Sequence, residues 1–565
     1  MSSRDSTAAP LEADRASLGH VDVLAVGALL AGLVLYVHSA LDLGARPEED
    51  AAMLLRYSEH LARGHGIVWN QGEAPVDGAT DFLFMVLVAL LHRLGLGLET
   101  AARSIGLVAH ALTVIGIYLG PRVLFGCAPP LAFLGGAFLA VGPGLRHLAA
   151  SYGTPLFALW ALVAFLVAAR LALTVDHALA RPARLFALAS LGLGLARPEG
   201  VFLGGFLLLS VLVARRGEGL GVIAGWYLGV LLTLGLAYFV WRWHYFGYPL
   251  PNPFYKKGGG VLHLHSLRKA WEDLWTLSLP FSLVVLAGLL APRARRWAAF
   301  TAIPVALFVA LWVLISNETN YVARFRYPVL PLILVGWVPV AQALGRRHPW
   351  WRRLRGGAGW IACLAVSATL VGWQHQRYRE ITPRPMGLHE AAVMLSGYAD
   401  RNFTLATTEA GLLPFYSGWR AVDAWGLNDA FIAHRGGITE EYLDRYRPEL
   451  IVFHAFFSPD TPQDGPRVEN RSLGPAWYRM VMTLKRYAEA RDYVLAAVYG
   501  LNDRDTHWYY VRAGFPQSAE IVHRIRALHY AWDGQPTIDF AAGERQTVPE
   551  SAEEPPRGLD APSRQ

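Results

Sequence analysis

Long apolar runs recur through the first two thirds of this chain, at about residues 23–41, 80–96, 104–122, 128–146, 155–174, 184–198, 200–214, 219–240, 276–291, 298–315, 328–344 and 357–374. Most are close to the length that crosses roughly 30 Å of hydrocarbon, and several are short. Inside lipid a backbone must satisfy its own polar groups, so such runs form helices. Only 17% of residues are charged while 53% are hydrophobic. That excludes an ordinary soluble enzyme and predicts a multi-pass α-helical membrane protein with about 11–13 transmembrane helices.

The net charge of +7 does not imply nucleic acid, because the basic residues cluster in short loops between apolar runs. Arg181 and Arg184, Arg215 and Arg216, Arg293, Arg295 and Arg296, and the group Arg346, Arg347, Arg352, Arg353 and Arg355 are expected in the cytoplasm by the positive-inside rule. Ser151 to Thr154, Arg197 to Gly200, His244 to Trp275, Asn317 to Arg326 and everything after about 375 then lie outside. One conflict remains: two crossings between 80 and 122 break the in–out alternation. Residues 1–20 read as a disordered cytoplasmic start, and the first span, lacking a cleavage motif, as an uncleaved anchor. Cys127 and Cys363 sit in or beside apolar runs and imply no disulfide framework.

The organisation is a transmembrane domain over 21–375, an extracytoplasmic α/β domain over 376–540, and a Glu/Pro/Arg-rich disordered tail over 541–565. In the second domain, strand-length apolar runs begin at Phe403, Leu450, Tyr493 and Trp508, separated by helical stretches such as Ala476 to Ala490.

Between the first two apolar runs, the loop 42–79 is too rich for a connector. Asp50 to Arg63 lacks Pro and Gly and reads as a helix. Ala51, Leu54, Leu55, Ser58, Leu61 and Ala62 make one apolar stripe, which predicts a helix lying flat on the bilayer. Gly64 and Gly66 end it. The acids Glu48, Glu49 and Asp50 either cap the helix, complementing its dipole, or supply a general base at the lipid boundary. Apolar surroundings would raise such a carboxylate's pKa.

The ordered set Glu49-Asp50, Arg56-Tyr57, Gly64-x-Gly66, Val68-Trp69-Asn70, Gly72-Glu73 and Val76-Asp77-Gly78-x-Thr80-x-Phe82-Leu83 resembles the first extracytoplasmic loop of the GT-C superfamily of membrane glycosyltransferases. It is similar to the mycobacterial terminal arabinofuranosyltransferase family. Departures are Glu49 for an Asp, Ala52 and Ala79 for tyrosines, Asp81 for an Asn, and a Glu missing from Ala150 to Phe157.

Four further stretches share the resemblance. Tyr245 to Lys257 is a proline-stiffened loop whose Lys256 and Lys257 suit either a phosphate or anionic lipid. Arg324-Phe325-Arg326-Tyr327-Pro328 puts two arginines on the outer side, where phosphate binding would explain them. Arg197-Pro198-Glu199-Gly200 is either a functional ion pair or a hairpin tie. Glu409-Ala410-Gly411, with Asp423 and Gly426 to Asp429, reads equally as a site or as turn chemistry.

The resemblance implies an inverting transferase of the inner membrane. It would move a sugar, arabinofuranose in the family, from a polyprenyl-phosphate donor to an envelope glycan or glycoprotein. Asp50 and Glu49 are the implied catalytic acids. Lys256, Lys257, Arg324 and Arg326 are the implied phosphate ligands. Arg56, Tyr57, His65, Trp69, Asn70, Asp77, Asn252 and Glu409 are the implied substrate contacts. No cofactor is expected and no His/Cys pair has metal-ligand spacing, although a divalent ion stays open. The competing reading is a transporter or lipid-handling protein without chemistry.

Overall fold

A computed structural model describes residues 18–175, 178–258, 262–314, 320–346, 356–378, 383–461, 474–542 and 544–545. Arg347, Arg352, Arg353, Arg355 and Asn317 lie outside the described residues, as do most of the two termini. The chain divides into two compact units. One comprises Met1–Pro383 with Gly426–Gly436, the other Arg384–Trp425 with Gly437–Gln565.

The first unit is helical and belongs to an integral membrane protein. Among the described residues, eight helices are long and apolar enough to cross a bilayer. The bent pair Leu264–Ser278 and Phe281–Leu290 makes a ninth if its 105° break lies within one span. Shorter helices fill the remaining apolar runs, at Phe82–Arg93, Ala180–Ala196 and Gly200–Ala214. Pro129–Ala140 is enclosed on nearly every side. His20–Ala40 and Leu220–Phe246 leave most of their apolar surface on the outside, where lipid tails replace water.

Ion pairs and carbonyl contacts sort the helix ends. Arg122 donates to Asp22 (Nε–Oδ1 2.6 Å) and to the Cys127 carbonyl. Phe125 meets Trp297 at 4.6 Å. Arg296 reaches the Ala172 carbonyl and Arg215 those of Leu171 and Thr174. All of these mark one end. At the opposite end Arg103, fully buried, donates to the carbonyls of Leu43, Ala45, Arg46 and Ala149.

The Leu98–Phe125 helix therefore starts at the loop end and finishes beside Asp22. The preceding Phe82–Arg93 helix has 12 residues, about 18 Å at 1.5 Å each, and stays on the loop side. That removes the broken alternation: the first loop runs on to Gly97.

The second unit carries a sheet ordered β2-β1-β3-β5-β4-β8-β9. Strand β1 is Thr404–Thr407, β2 Arg420–Asp423, β3 Leu450–Ala455, β4 Tyr493–Asn502, β5 Asp505–Arg512, β8 Ile538–Asp539 and β9 Glu544–Arg545; β6 (Ala531–Trp532) and β7 (Gln535–Pro536) form a separate ribbon. The first three strands run parallel, and β5, β4, β8 and β9 pair antiparallel. Because β1 has β2 on one side and β3 on the other, the chain reverses direction across the sheet there. In open sheets that reversal leaves a crevice at the carboxyl ends of the strands.

Removing one partner of the Arg122–Asp22 pair strands a charge inside the protein. Arg122→Met should cost about 3–5 kcal/mol, and adding Asp22→Leu should recover much of that. Thermal unfolding of the single and double variants in detergent measures both.

Candidate active site

The loop helix spans Glu49–Ala62. Its apolar stripe does not face lipid. Ala51, Ala52, Leu54 and Leu55 are buried within the protein, against the Phe82–Arg93 and Leu98–Phe125 helices. The expected flat surface helix is thus a packed one, because the loop continues over its outer face.

Arginine fastens that continuation. Arg56 donates to the Trp69 carbonyl (2.8 Å) and to Asn70 Oδ1 (3.1 Å), with its guanidinium 4.9 Å from the Trp69 ring. His60 Nδ1 meets the Val68 carbonyl at 2.9 Å. Burial, with Arg56 beside it, pushes this imidazole down to about 4, so the ring is neutral and Nδ1 carries the shared proton. Asn70 donates to Glu73. Tyr57 donates to Asn428 (3.1 Å), and a Cβ on Gly78 would collide with both of those side chains. Gly66, in the left-handed region at φ +86°, passes tight against the Tyr245 hydroxyl, which accepts from the Ile67 amide at 3.0 Å.

Asp77 is clamped by Arg242 through both oxygens (2.7 and 2.5 Å). Its own carbonyl accepts from the Asn252 amide. Asp81 pairs with Arg197, which also holds Glu199 at 2.6 Å. Arg197 therefore ties its own hairpin, through Glu199, to the end of the loop, through Asp81.

Asp50 lies in the first turn of the loop helix, and Arg324 Nη2 donates to its Oδ2 at 2.5 Å. The carboxylate is set deep, yet 38% of its side-chain surface stays accessible, against 9% for Arg324. Burial alone would raise its pKa. Arg324 and Lys257 outweigh that and hold it below the ordinary carboxylate range. The expected upward shift is thus reversed, because two cations rather than lipid surround the group. At Asp81 burial wins and the shift is upward, with Glu199 adding to it and Arg197 and Arg324 opposing. Asp77 is likewise raised by burial against the pull of Arg242.

The backbone before Arg324 is strained. Val322 and Ala323 both take positive φ, 47° and 55°, costly for residues with a Cβ. The two turns direct Arg324 past the Tyr152 ring, 4.5 Å away, towards Asp50.

The structure thus brings Asp50, Arg324 and Lys257 together. Glu49 is half-buried beside Asp50 on the same helical turn, and Lys256 half-buried beside Lys257 on the Asn252–Gly258 helix. Arg326 is fully buried over the Trp312 ring (4.3 Å). Arg56, Tyr57, Trp69, Asn70, Asp77 and Asn252 are buried and their bonds shape the loop. His65 is exposed, edge-on to His60. Glu409 belongs to the second unit. Sequence reading missed Arg103, Arg242 and the Asp81–Arg197 pair, whose partners lie 46 to 165 residues away.

Two solved structures of ArnT from Cupriavidus metallidurans resemble this chain over 86% of its length and 97% of theirs. The apo state is 15% identical with a TM-score of 0.52, and the state bound to undecaprenyl phosphate is 13% identical with a TM-score of 0.51. The fold is that of the GT-C membrane glycosyltransferases. The arabinofuranosyltransferase AftD from Mycobacteria aligns over 89% of this chain and 41% of its own, at 16% identity and a TM-score of 0.46. Residues 371–531 match a family described as a domain of unknown function, DUF8728. No curated protein matches the sequence.

Arg56→Met removes the donors to Trp69 and Asn70 from a buried setting. A loss of about 2–4 kcal/mol is expected, at roughly 1–3 per orphaned group. Amide hydrogen exchange should rise across Gly66–Gly78 more than in the spans.

Proposed function

We propose that this protein is an inverting glycosyltransferase of the cytoplasmic membrane. It transfers a sugar from a polyprenyl-phosphate donor to an envelope glycan or glycoprotein on the extracytoplasmic side. The loop motifs point to arabinofuranose as the sugar. The observation that carries the proposal is an accessible, ionised carboxylate, Asp50, held by Arg324 with Lys257 beside it.

The chemistry needs those groups together. Asp50 accepts the proton of the acceptor hydroxyl as its oxygen attacks the anomeric carbon. The bond from that carbon to the phosphate oxygen breaks, and the electron pair leaves on the phosphate. Arg324 and Lys257 stabilise the charge arriving there, an electrostatic contribution that is usually large. Phosphate leaves well, so no covalent enzyme intermediate is required.

Without donor, Arg324 suppresses the basicity of Asp50. A donor phosphate competes for the same guanidinium and brings its own negative charge. Both effects raise the carboxylate's pKa, so donor binding switches the base on. Glu49 and Lys256, half-buried beside Asp50 and Lys257, extend the charged surround. The ArnT structure with undecaprenyl phosphate supports a polyprenyl carrier as the class of donor.

Asp50→Asn should lower transfer by about 10²–10⁴-fold while donor binding persists. Unchanged glycan products in cells carrying the variant would instead favour a lipid-handling role. The pH profile is a second check. A carboxylate base works above its pKa, so activity falls as pH drops through it. The acidic limb of kcat, which reports the bound enzyme, should lie at higher pH than that of kcat/KM, which reports the free enzyme.

A further inference from the structure

The second unit holds a separate cluster that the transfer chemistry does not use. Glu409 follows the end of β1, His454 is the penultimate residue of β3, and His507 faces His454 across the β3–β5 ladder. One ligand atom from each lies within 4.8 Å of the others. The three converge where the sheet order reverses, the place where open sheets bind ligands.

We propose that Glu409, His454 and His507 form a binding site for a divalent transition-metal ion, zinc being the best fit. Two imidazoles and one carboxylate are a common three-residue zinc set, leaving a fourth position for water or substrate. His454 Nδ1 already stands 3.6 Å from Glu409 Oε1. Ligand-to-ligand edges in a tetrahedral zinc site are roughly 3.4 Å for bonds of about 2.1 Å, so this edge is already near the required length, and the remaining ligand atoms, within 4.8 Å, draw in around the ion.

The outer contacts are those a metal site requires. His454 Nε2 meets Asp505 Oδ1 at 2.6 Å, which turns Nδ1 towards Glu409. His507 Nδ1 meets the Tyr530 hydroxyl at 2.7 Å, which leaves its Nε2. Metal-bound histidines are oriented by such partners at the far nitrogen. Trp532 stacks on His507 with ring centres 4.0 Å apart and closes one wall. A purely structural histidine–carboxylate network would need His454 and Asp505 but gives no reason for Glu409 and His507 to converge on the other nitrogen.

The test uses the full-length protein in detergent, stripped with chelator and titrated with Zn²⁺ alone. Expected is one tight zinc per chain by mass spectrometry of the metal, weakened about tenfold or more in Glu409→Ala and in His507→Ala. Asp505→Asn should weaken zinc by about 10–100-fold without removing a ligand. Glu409 lies beyond the end of β1 rather than within a strand, so its variant keeps the test valid if His507→Ala misfolds. Equal zinc in the wild type and Glu409→Ala, or no tight zinc in the wild type, overturns the assignment. Neither readout depends on glycosyl transfer.

Discussion

A single buried guanidinium holds the irregular part of the first unit in place. Arg103 donates to four backbone carbonyls, three of them in the segment that leaves the first span. Non-helical backbone at a membrane boundary is expensive unless something satisfies its polar groups. Arg103 does so from within the next long helix, which ties the loop's start to the bundle. Asp50 follows within a turn of that anchor, so its position derives from a helix rather than from a free loop.

Three acidic side chains of the same loop region show how neighbours decide protonation. Asp50, Asp77 and Asp81 each face an arginine. Asp77 and Asp81 are sealed in, and burial dominates. Asp50 meets two cations and keeps open surface, so the ionised form wins. Environments that drive carboxylates apart in this way are how a fold assigns distinct roles to identical groups. Here the two raised acids belong to the scaffold and the lowered one to the open site.

Much of this was legible in the sequence. Apolar length revealed the helices, the Pro- and Gly-free run from Asp50 revealed the loop helix, and strand-length runs revealed β1, β3, β4 and β5. Strand β2 escaped because Arg420–Asp423 is short and opens on a charged residue. The stripe of the loop helix was visible, but sequence cannot say whether lipid or protein covers it. Likewise a carboxylate's pKa depends on charges contributed from far along the chain: Arg324 lies 274 residues from Asp50. The Glu409–His454–His507 cluster was invisible for the same reason, since strand pairing rather than local spacing assembles it.

The grip of Arg103 and Arg56 on main-chain oxygens carries an evolutionary corollary. A clamp that holds carbonyls is indifferent to which side chains those residues bear. Substitutions at Leu43, Ala45 or Ala149 that keep the backbone path therefore leave the clamp intact. Such an arrangement tolerates sequence drift along the clamped segments, whose path is set by the arginines rather than by their own side chains.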